Sequence, residues 1–98
     1  MELKITYDPE TSGSLGNAQR VQSEVASFVS DGKITVSIDY NLVEGSSGDF
    51  KVELEDCCLF DTKHHFREYQ NFPEKDEMAV DVMIRGNSNY LENCRDGE

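Results

Sequence analysis

No apolar run in the chain approaches the roughly 20 residues that a membrane-spanning helix requires. The opening stretch, MELKITYDPE, lacks the basic-then-apolar form of a secretory signal peptide. Asn-x-Ser/Thr acceptors are absent, and the cysteines number three, an odd count. Together these absences predict a reducing, cytoplasmic setting with free thiols. Basic residues are scarce: nine Lys and Arg face twenty Asp and Glu, for a net charge of −11. So acidic a surface repels phosphate, which disfavours direct contact with nucleic acid or an anionic membrane. It attracts basic partners instead, including proteins that themselves hold DNA or RNA. The bland counterpart is that acidity merely keeps a small protein soluble.

Catalytic signatures are missing as well. SGSLGN sets Gly13 and Gly16 ahead of a helix, where backbone N–H groups can hold an anion. It lacks the Lys-Ser/Thr of a phosphate loop and the glycine spacing of a dinucleotide fold. PEKDEM has no calcium-loop spacing around a central glycine. The many carboxylates sit in no acid–base motif. The expectation is a protein that is not an enzyme and uses no cofactor.

What is present is periodicity. At 98 residues the chain is of single-domain size. From Glu2 to Tyr7, Leu3, Ile5 and Tyr7 alternate with polar residues, the pattern of a half-buried strand. DPETSGSLGN breaks it. From about Leu15 to Ser30 the period becomes helical, with Ala18, Val21, Val25, Phe28 and Val29 on one face. Ser14 is a candidate cap, and Gly32 a stop that can take a positive φ. KITVSIDYNLV predicts a second strand with Ile34, Val36, Ile38, Tyr40 and Leu42 inward, and EGSSGD a hairpin connection. Phe50, Val52 and Leu54 mark a third strand; Met78, Val80, Val82 and Ile84 mark a fourth. The fold class is therefore α+β: β-α-β-β-β, one amphipathic helix on a mainly antiparallel sheet of about four strands. Residues 1–86 form the domain and 87–98 a mobile tail.

CCLFDTKHH concentrates Cys57, Cys58, His64 and His65. Adjacent residues of a strand point to opposite faces, so neither pair converges easily on one ion. With Asp61 the stretch supplies three ligands, and Cys94 would be a distant fourth. A small zinc-stabilised domain built on Cys57 or Cys58 and His64 or His65 is the alternative reading. Packing is preferred: one cysteine buried as a small hydrophobe, one half-exposed, and no metal. Strict alternation sends Asp56, Cys58 and Phe60 inward, whereas a bulge near Asp56 sends Cys57 and Leu59 inward instead.

Two surfaces are candidates for partner binding. Asp39, Glu44, Asp49, Glu53, Glu55, Asp56 and Asp61 form an acidic run opposed locally by Lys51 alone; like charges stacked on a sheet cost stability, so their presence suits a basic partner. In FREYQNF, Arg67 and Tyr69 are the hot-spot residue types, while Phe66 and Phe72 suit pinning the segment to the core. This profile of a small acidic α+β protein with charged strands is similar in kind to phage-encoded anti-defence proteins, including anti-CRISPR inhibitors and nucleic-acid mimics. It is similar also to bacterial immunity proteins that block nuclease toxins. The similarity is one of composition and carries over no functional residue. It implies an inhibitor that binds a basic, nucleic-acid-handling protein or nucleoprotein complex.

Overall fold

The computed structural model describes residues 1–45, 49–62 and 72–86. In chain order these form β1 (Glu2–Tyr7), α1 (Ser14–Ser30), β2 (Asp39–Glu44), β3 (Phe50–Leu54), β4 (Cys57–Asp61) and α2 (Glu77–Gly86). The α+β class holds. The four strands make one mixed sheet of order β2-β1-β3-β4. β1 runs parallel to β2 and antiparallel to β3, and β3 is antiparallel to β4.

Strand alternation builds the core. Leu3 and Ile5 lie across from Leu54 and Val52, and Val52 across from Phe60. All five are fully buried, together with Ala18, Val21 and Val25 of α1 and Met78, Ala79 and Val82 of α2. Each such aliphatic side chain contributes about 1.5–3 kcal/mol on burial. The two helices pack against each other, α1 also against β1 and α2 against β4.

α1 begins and ends through backbone geometry. Gly13 is the N-cap, in the left-handed region at φ 84°, and its carbonyl accepts from both the N–H and the side-chain amide of Asn17. Ser14 does not cap: it is the first helical residue, buried, and its hydroxyl accepts the Asp8 N–H at 3.0 Å. At the other end Gly32 has φ 78°. Its N–H donates to Val29 O and that of Lys33 to Phe28 O, the paired bonds of a Schellman stop. The Lys33 ammonium then lies 4.7 Å from the centre of the Phe28 ring.

Three expectations are corrected. Met78–Ile84 belongs to a helix, not to a strand. Its apolar residues satisfy both periods, and Ala79 discriminates between them: outward in the strand reading, it is fully buried, while Val80 and Ile84 are exposed. Glu77 in the first turn and Arg85 in the last complement the helix dipole. Secondly, β2 starts at Asp39, because its pairing with β1 starts at Glu2 opposite Asp39. Ile34 is buried and Val36 and Ile38 half-buried in irregular chain. Thirdly, β2 and β3 form no hairpin, since β1 lies between them. The tail expected at residues 87–98 falls outside the described residues.

The acidic sheet end and the cysteine strand as candidate sites

CCLFD is a strand of its own. β3 stops at Leu54, the chain reverses through Glu55 and Asp56, and Cys57 pairs back onto Leu54. Glu55 takes φ 54°, the positive value that a two-residue hairpin turn asks of a central position. Cys57 and Leu59 therefore face the core because of a turn. A register shift between Val52 and Glu53 then lets Phe60 follow Leu59 inward.

The two cysteines divide as predicted in burial but not in chemistry. Cys57 is buried and Cys58 half-buried. Cys57, however, is disulfide-bonded, while Cys58 is free. This corrects the expectation of free thiols throughout: an odd count accommodates one bridge and one thiol. It also removes Cys57 from any set of metal-binding thiolates. The Arg85 guanidinium donates to Cys57 Sγ at 3.3 Å, joining α2 to β4. His64 and His65 lie outside the described residues.

Burial pushes the Cys58 thiol above its usual range; the Asp61 carboxylate adds to this and Lys51 opposes it. The proton is thus held in the folded state to higher pH than in the unfolded chain. The stability linked to it is full below the ordinary thiol range and falls as pH rises through the raised value. Iodoacetamide at pH 8 should therefore label Cys58 more slowly in the folded protein than in denaturant, with the gap closing as pH rises. Site-resolved mass spectrometry reads this, and equal rates in both states would contradict it.

The sheet redistributes the acidic run. On the face away from the helices, Lys4 of β1 stands between Asn41 and Glu53, and Lys51 between Thr6 and Asp61. Lys51 Nζ is also 3.6 Å from a Glu53 oxygen. The middle of this face therefore alternates in charge, and the expectation of Lys51 as sole opponent is corrected by Lys4. Asp61 is 7% exposed and so offers little to a partner. Glu53 and Asp49 are half-buried, and Asp39, Glu44, Glu55 and Asp56 are exposed. Arg67 and Tyr69 lie outside the described residues. Phe72 does pin to the core, edge-on to Phe50 at 5.0 Å between ring centres.

Four acids collect at one end of the sheet, where the Met1 ammonium also lies, donating to Ser37 O at 2.7 Å. Glu2 is opposite Asp39 in the parallel pair. Its N–H donates to the Glu55 carboxylate, and the Glu55 N–H donates to Glu2 O. The Asn41 amide donates to a Glu2 carboxylate oxygen at 3.0 Å. Glu2, Asp39, Glu55 and Asp56 thus share one rim, although 53 positions separate Glu2 from Glu55. The sequence pattern alone does not single out Glu2. Its signal, a carboxylate on the polar phase of the first strand, was visible, but its neighbours were not.

Gly13 and Gly16 lie at the start of α1. The nearby cleft of ≈ 420 Å³ is lined by Asp8, Pro9, Glu10, Thr11 and Gly45. There the Asp8 carboxylate accepts from the Glu10 N–H and the Thr11 hydroxyl. Two carboxylates in such a cleft oppose phosphate. No helix among the described residues is long and apolar enough to cross a membrane. The chain matches no protein-family model and no curated protein sequence.

Proposed function

We propose that the protein is a non-enzymatic inhibitor that binds a basic, nucleic-acid-handling protein and covers the groove where phosphate would lie. The observation that supports this best is the rim of Glu2, Asp39, Glu55 and Asp56, drawn together by β1–β2 pairing and the β3–β4 turn. Carboxylates spaced along a sheet end present negative charge on a rigid support, and a net charge of −11 steers a cationic partner towards it. An anti-defence or nucleic-acid-mimic role is the form of this reading that suits the composition. It carries a cytoplasmic location with it, in which the Cys57 disulfide would have to persist against a reducing pool.

The test is capture from a bacterial lysate by the full chain and by an Asp39→Lys/Asp56→Lys variant, eluted in salt steps. Both residues are exposed, so the variant is expected to fold. The reading requires a basic nucleic-acid-binding protein that the native chain retains, that moderate salt releases, that the variant loses, and whose action on nucleic acid the native chain blocks. Equal retention by both chains, or a captured protein whose activity is untouched, would sink it.

A further inference from the structure

β2 is an edge strand, and its free side is defined by the phase of its pairing. In a parallel ladder alternate residues of a strand direct both N–H and C=O to the same neighbour. The Asp39 N–H donates to Met1 O at 2.7 Å and the Gly45 N–H to Tyr7 O at 2.6 Å. These bonds bracket β2 and turn positions 39, 41, 43 and 45 towards β1. Tyr40, Leu42 and Glu44 therefore direct their backbone groups outward, where no described residue pairs with them.

Proteins usually blunt such an edge with lysine, proline, a bulge or a covering segment. The other edge, β4, has a register shift against β3 and is tethered by the Cys57 disulfide. β2 has six residues, DYNLVE, in unbroken register, with neither lysine nor proline. Its charged side chains, Asp39 and Glu44, are both acidic and exposed. Tyr40 and Leu42 are partly buried against the core on the helix side and still partly open.

We infer that β2 receives an extended segment of the partner as a fifth strand, with a basic side chain on the segment meeting Asp39, which lies on the face opposite to Tyr40 and Leu42. This rests on the proposed function and specifies how that partner is held: main-chain bonds to Tyr40, Leu42 and Glu44 supply affinity, and Asp39 selects for Lys or Arg. Apolar residues alternating with the basic ones would cover Tyr40 and Leu42. A second copy of this chain is the poorer occupant. Two copies each carry −11, and neither β2 offers a Lys or Arg to the acids of the other.

The test titrates the full isotope-labelled chain with three synthetic peptides, followed by NMR and amide exchange. One is Lys-Val-Lys-Val-Lys-Val, one the same sequence N-methylated at alternate residues, and one hexalysine. The inference expects the first peptide to protect the Tyr40, Leu42 and Glu44 amides from exchange. The methylated form, deprived of its main-chain donors, should bind about tenfold more weakly or worse. Equal binding of all three peptides without amide protection would overturn the added strand while leaving the acidic-rim reading standing. No binding by any of them would count against both. Protection that grows with protein concentration alone would assign the edge to a second copy and overturn the proposal.

Discussion

Replacing Phe50 by alanine lowers the stability of the protein by about 3–5 kcal/mol, a large share of the roughly 5–15 kcal/mol available to a domain of this size. Phe50 is 1% exposed. Its ring stands edge-on to Phe60 at 6.1 Å and to Phe72 at 5.0 Å, so a single side chain joins β3, β4 and the segment ahead of α2. Removing it leaves a cavity among side chains fixed by three paired strands, which cannot collapse to fill it. Chemical denaturation reads the loss directly, and the melting temperature should fall by more than about 10 °C. Phe50→Leu, which retains most of the buried carbon, should lose far less. A Phe50→Ala protein within about 1 kcal/mol of the native chain would show that the aromatic cluster is not the centre of the core.

Reduction of the Cys57 disulfide is expected to cost about 2–5 kcal/mol, as for native bridges in other small domains. The bridge removes conformations from the unfolded chain, and its sulfur also accepts a hydrogen bond from Arg85, tying α2 to β4. Cys57→Ala is the informative variant, because the site is only 4% exposed and alanine introduces no unsatisfied hydroxyl. Native protein should shift its denaturation midpoint when reductant is added, and Cys57→Ala should start near the reduced value and ignore reductant. A native midpoint indifferent to reductant would contradict the expectation. The same experiment measures whether the bridge survives at cytoplasmic potentials, and so bears on the proposed location.

Local pattern carried much of this fold. The alternation of Leu3, Ile5 and Tyr7 and of Phe50, Val52 and Leu54, the stripe of Ala18, Val21 and Val25, and the glycine stop at Gly32 depend on neighbours within one element. Each was legible without knowledge of the rest. EMAVDVMIRG was not, since its apolar residues fit periods of both 2 and 3.6 and only the burial of Ala79 separates them. The strand at Cys57 was hidden behind a turn whose positive φ falls on Glu55, where no glycine announces it.

The candidate site divides in the same way. That the surface is acidic follows from composition, and that Asp39 and Glu55 belong to it follows from alternation; Asp56, which strict alternation sends inward, is exposed because a turn carries it. That Glu2 joins them, that Lys4 and Lys51 neutralise the middle of the face, and that β2 lies at an edge, depend on strand order. Strand order is decided by which apolar faces bury one another across long stretches of chain. It leaves no trace in the spacing of neighbouring residues, because Glu2 meets Asp39 and Glu55 only after β1 has inserted between β2 and β3.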